Sequence, residues 1–124
     1  MASRRIFGVI GACLVAASAS AHHSFAAEFL GDQTRTLEGV VTEVWFKNPH
    51  VRYYIEVTND AGETEQWDVR TSSPTLLVRR GWNRETISAG DRVKIEGYLG
   101  RDGRKIMSLI SIELPDGTIL GQSY

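Results

Sequence analysis

Five stretches of alternating apolar and polar residues, one helix signal between the third and the fourth, and turn chemistry at the junctions predict an all-β fold. Three strands, a short helix and two strands is the element order of an OB-fold-like five-stranded β-barrel. Such a barrel needs no parallel crossover connection and suits one small domain.

The first strand is read in "TLEGVVTEVWFKN", where Val40, Thr42, Val44 and Phe46 share one face and Val41, Glu43 and Trp45 the other. Asn48-Pro49 interrupts it, because Pro49 disfavours helical geometry at Asn48 and the dipeptide favours a turn. "VRYYIEVT" is the second strand, with Val51, Tyr53, Ile55 and Val57 together. "NDAGE" reads as a hairpin loop, with Gly62 free to take a positive φ. "TEQWDVR" is the third strand, with Trp67 and Val69 inward. In "SSPTLLVRRGW", Ser73 is the N-cap, Pro74 the first helical residue and Gly81 the stop, giving a helix of about two turns. A turn at Gly90-Asp91 opens the fourth strand, with Val93 and Ile95 inward; "RDG" leads to the fifth, "RKIMSLISIEL". "PDGT" then turns into a short tail through Ile119 and Leu120.

The N-terminus is read as a removable address. Arg4 and Arg5, an uncharged apolar run from Ile6 to Ala17, and Ala19-Ser20-Ala21 are the three parts of a secretory signal peptide. The run is shorter than the roughly 20 apolar residues that span a bilayer. "SRRIFG" also fits the twin-arginine export pattern. A rival reading takes "IGAC" as a lipoprotein site at Cys13, but the apolar run before it is short. The expected division is signal peptide 1–21, N-terminal arm 22–35 and barrel domain 36–124, in the periplasm or secreted. Cys13, the one cysteine, leaves with the signal, so the mature fold is expected to rest on packing without a disulfide. No stable membrane anchor remains after cleavage.

Charge narrows the partners. The chain has 14 basic and 15 acidic residues, net −1, and loses two arginines with the signal. Nucleic-acid binders present clustered basic surface, so nucleic acid is not an expected partner. No nucleophile-elbow G-x-S-x-G, H-E-x-x-H, C-x-x-C or calcium loop is present. Glu56, Glu65, Asp68 and Glu96 are spread along strands without the spacing of an acid/base pair, so a solvated face is the expectation for them. The chain reads as a non-enzyme.

The chemistry is in the histidines. Cleavage after Ala21 makes His22 the first residue. Its α-amine and ring Nδ1 can then chelate one metal ion, and a third imidazole completes a histidine brace. Cu(II) favours such a nitrogen-rich tetragonal set. The third ligand is sought in His50, just after the Asn-Pro turn, with His23 assisting; these are all the histidines of the chain. Copper is thus the expected cofactor, and a metal donor or acceptor protein the expected partner. The plain alternative is a solvated His22-His23 arm and a His50 that caps a strand. A copper oxidant is a third reading, and it lacks an evident flat substrate surface. Trp45, Tyr54, Trp67 and Trp82 offer a ligand face, or else core and rim packing. Arg79-Arg80 suits the helix dipole.

The segments "AHHSFAAEF", "GVVTEVWFKNPHVRYYIEV", Trp67, "SSPTLLVRRGW" and "GDRVKIEGY" resemble a family of small exported bacterial proteins classed as a domain of unknown function. The resemblance runs through nearly all of the mature chain, and "AHHSF" with "NPH" carries it. It implies a secreted β-rich protein and brings no activity or substrate. It marks His22, His23, His50 and Trp82 as motif positions. Arg52 departs from the aromatic or apolar residue expected there, so a site at position 52 would be more cationic here. The leading expectation is a copper-binding periplasmic barrel. The alternative is a structural or ligand-binding module that uses its aromatic face.

Overall fold

The computed structural model describes residues 24–122. The expected signal peptide, His22 and His23 lie outside the described residues. Residues 24–28 form a helical turn. The strands are β1 (Phe29–Trp45), β2 (Arg52–Thr58), β3 (Thr64–Arg70), β4 (Arg92–Gly100), β5 (Ile106–Glu113) and β6 (Ile119–Gly121), with one α-helix, α1 (Pro74–Arg79), between β3 and β4. The sheet order is β3-β2-β1-β4-β5-β6, and a parallel β3–β5 pairing closes it on itself. The closed ring of five strands and the helix between the third and fourth bear out the OB-like expectation.

Alternation placed β2, β3 and β4 well, and one irregularity changed β1. Tyr53, Ile55 and Val57 of β2, Trp67 and Val69 of β3, and Val93 and Ile95 of β4 are all buried, as period-two burial requires. In β1 the inward set is Leu37, Gly39 and Val41, then Val44 and Phe46. The expected face of Val40, Thr42, Val44 and Phe46 is therefore corrected. The register with β2 shifts between Val41 and Glu43, and one extra residue in a strand reverses the face of everything after it.

Two further elements differ from expectation. β1 begins at Phe29, so residues 29–35, read as part of an arm, are strand. The run is irregular: pairing with β4 jumps from Phe29↔Gly100 to Thr34↔Tyr98. The tail through Ile119 and Leu120 is a sixth strand, paired with β5 at Ile112↔Leu120.

The helix is held by local chemistry at both ends. Ser73 caps it by accepting from the Leu76 N–H at 3.4 Å, and Pro74 opens it. At the other end the Trp82 N–H donates to the Leu77 carbonyl and the Gly81 N–H to the Val78 carbonyl. That is a Schellman motif, and Gly81, at φ +91°, supplies the left-handed residue it needs. The motif brings Leu77 and Trp82 into the core, 0% and 2% exposed. There Trp82 lies 6.3 Å from the Tyr53 ring.

Candidate functional site

The end of β1 and the start of β2 frame an open hollow of about 360 Å³ lined by Trp45, Asn48, Pro49, His50, Arg52 and Tyr54. Trp45 and Arg52 are register partners across β1 and β2. The Asn48-Pro49 bond is cis. The β-bulge described above turns Trp45 outward, where it is 39% exposed.

His50 is oriented by the backbone. Its Nδ1 lies 3.1 Å from the Thr71 carbonyl oxygen. A carbonyl only accepts, so Nδ1 carries the hydrogen, and in the neutral ring Nε2 holds the lone pair. Thr71 is itself fixed: its N–H and its hydroxyl both donate to the Val51 carbonyl, at 3.0 and 2.8 Å.

A ladder of charges runs from the hollow to the N-terminal segment. Arg52 Nη1 donates to Asp68 Oδ2 at 3.4 Å, and Arg70 Nε donates to the same oxygen at 3.2 Å. Arg70 Nη1 in turn pairs with Glu28. The Tyr54 hydroxyl, and behind it Asp68 and Glu28, raise the Arg52 guanidinium above its already high pKa, in spite of some desolvation. Other contacts seat the same segment. Phe25 stacks on Phe29 at 5.4 Å and meets Tyr98 edge-on at 5.6 Å. Arg101 Nε donates to the Ala26 carbonyl at 2.6 Å.

Register gives the distance between segment and hollow. Tyr98 pairs with Ser108, Ser108 with Arg70, and Arg70 with Arg52. These four residues form one row across neighbouring strands. At about 4.8 Å per strand the row is at most about 14 Å long. Phe25 therefore docks near one end of a row whose other end is the hollow.

Of the expected site residues, the structure brings together His50, Trp45 and Tyr54. Trp67 and Trp82, only 4% and 2% exposed, belong to the core and not to the hollow. Trp67 donates from Nε1 to Glu65 Oε2 at 3.1 Å. Among the described residues no three His, Cys, Asp or Glu side chains gather as a metal-binding group. The ladder Arg52–Asp68–Arg70–Glu28 was not read from the sequence, although the β2–β3 hairpin contains all of it but Glu28. A loop centred on Ala61 pairs 52 with 70 and 54 with 68, so the outward charges of β2 and β3 must meet.

Solved structures that resemble the chain include mitochondrial single-stranded DNA binding protein Rim1 from S. cerevisiae. One crystal form matches at TM-score 0.51 and 13% identity over 69% of this chain and 96% of that one. A second form matches at TM-score 0.51 and 14% identity over 74% and 97%. The N-terminal domain of PriB from Thermoanaerobacter tencongensis matches at TM-score 0.49 and 26% identity over 67% and 96%. The Rim1 likeness shows the fold alone. No curated protein matches the chain. A family model covers residues 11–108, from the apolar run before Ala21, through the hollow and the ladder, to Ser108. The chain belongs to that family of unknown function, DUF6152.

Proposed function

We propose that this chain is an exported, non-enzymatic protein that binds one copper ion beside the hollow, through His22 and His50 with His23 assisting, and carries it to a partner protein. The observation that carries the reading is the orientation of His50. A backbone carbonyl holds Nδ1 and leaves Nε2 as the ligand atom, the usual arrangement of a metal-bound imidazole. Removal of residues 1–21 as a signal peptide would supply the α-amine and ring of His22.

Reach sets a condition on the reading: the side chains of His22 and His50 must close what the backbone span leaves. His22 is three residues before Phe25, a span of up to about 10 Å. Phe25 docks within about 14 Å of the Arg52 end of the cross-strand row. The Glu28–Arg70 pair and the Phe25 ring contacts fasten the segment along the row that leads to the hollow.

The aromatic hollow favours a second reading. Trp45 is 39% exposed beside a half-buried Tyr54, as in a binding module whose histidines are incidental. Copper titration of the mature chain against a competing chelator separates the two. In the copper reading His22→Ala and His50→Ala each weaken binding at least about tenfold, one ligand being worth more than 1.4 kcal/mol. Unchanged copper affinity in both variants leaves the module reading.

A further inference from the structure

We propose that the hollow is an anion site and that its ligand is a small aromatic carboxylate, gripped by Arg52 and laid against Trp45 and Tyr54. The proposal rests on reading the hollow as a binding site; it does not depend on copper.

The lining has one sign of charge. None of Trp45, Asn48, Pro49, His50, Arg52 and Tyr54 is acidic. Lys47 adds a second cation, its Nζ 4.3 Å from the centre of the Trp45 ring. The ion-pair ladder alternates in sign from Glu28 through Arg70 and Asp68, and it ends on a cation at the hollow. Arg70 has Glu28 as well as Asp68, whereas Arg52 has only a share of the oxygen Asp68 Oδ2, at the longer distance of 3.4 Å. Arg52 keeps a side chain 38% exposed, with donors beyond the one given to Asp68. A planar fork of N–H groups suits a carboxylate.

The apolar part of the ligand follows from the neighbours of Arg52. Trp45 is its cross-strand partner, and Tyr54 is two residues along the same face of β2. These rings flank the guanidinium and present surface on which a flat ring can pack. A volume of about 360 Å³ lies at the small end of ligand pockets. Arg52, with Lys47 behind the Trp45 ring, sets the sign of the charge at the hollow. An anion meets them favourably, and it could also supply the negative charge that a copper ion held by neutral nitrogens lacks.

The test uses the chelator-treated mature chain, titrated with benzoate, benzamide and acetate and followed by NMR at the Trp45 indole N–H and Arg52 Nε–H. Benzoate is expected to shift both signals saturably. Benzamide, of the same shape without the charge, should bind at least about tenfold more weakly, and so should acetate, which lacks the ring. Arg52→Gln should weaken benzoate by a similar factor, with the β2–β3 amide pattern confirming its fold. Equal binding of benzoate and benzamide overturns the anion site, and equal binding of benzoate and acetate overturns the aromatic class. Absence of benzoate shifts overturns the whole proposal even where copper binds. Loss of copper binding alone leaves it standing.

Discussion

Gly39 offers a sharp test of the barrel's construction. A Cβ there would lie 2.3 Å from the Glu56 carbonyl oxygen and 2.8 Å from Ile55 Cγ2. Glu56 and Ile55 are the register partners of Val40 and Val41, so the obstacle is the backbone of β2. Relief needs β1 and β2 to part by about 1 Å, since carbon meets oxygen comfortably only beyond about 3.3 Å. Overpacking a core costs about 1–3 kcal/mol, and a backbone wall puts Gly39→Ala at the upper end, about 3 kcal/mol. For a domain of this size that lowers Tm by about 12–24 °C. Gly62→Ala is the control. Gly62 has φ +78° and nothing within 4 Å of a new Cβ, so only left-handed backbone opposes the alanine, at about 1 kcal/mol. Urea unfolding of both variants, followed by tryptophan fluorescence, gives the comparison. A Gly39→Ala chain within about 0.5 kcal/mol of the parent, or one less affected than Gly62→Ala, would refute the close β1–β2 contact.

Other consequences are as checkable. Tyr53 Oη is buried with no hydrogen-bond partner among the described residues, and burial pushes its phenol pKa up. Tyr53→Phe should therefore match or exceed parental stability, by up to about 1 kcal/mol, in the same urea assay; a loss of that size would contradict the account. Glu65 is held below its ordinary pKa of 4.5 by Lys105, then Trp67 and Asn59. A lowered folded-state pKa gives stability that is present above pH 4.5 and fades as pH falls through the lower value. In Glu65→Gln the acid limb of stability against pH should be flatter below about pH 4.5, and an unchanged limb argues against the cluster. Ser73→Ala removes a long cap bond and should cost about 0.5–1 kcal/mol.

What could be read from the sequence was the chemistry that acts locally. Ser73, Pro74 and Gly81 bound α1 through their own caps, so the helix was legible to within a residue. β2 and β3 were legible because each keeps a strict alternation and the loop between them is short. The reversal inside β1 was not. Val40, Thr42, Val44 and Phe46 alternate without a break, and only the register against β2 reveals the bulge at Thr42. Residues 29–35 lacked a period because Leu30 to Gln33 bulge out of the β4 ladder. β6 is three residues long and is held by its partner, with the Gln122 N–H donating to Ile110. The hollow was half legible. His50, Trp45 and Tyr54 meet because they flank one turn. Trp67 and Trp82 look alike in composition but point into the core. The Glu28–Arg70 contact joins positions far apart in the chain, and no local pattern announces it.

The central claim is that copper sits between a free His22 and His50. Native mass spectrometry of the protein purified from bacteria that express the full chain, with equimolar Cu(II) added, tests it most directly. The account predicts a chain that begins at His22 and holds one copper ion, with the ion lost in His50→Ala. A chain that begins elsewhere, or one that begins at His22 and holds no copper, contradicts it.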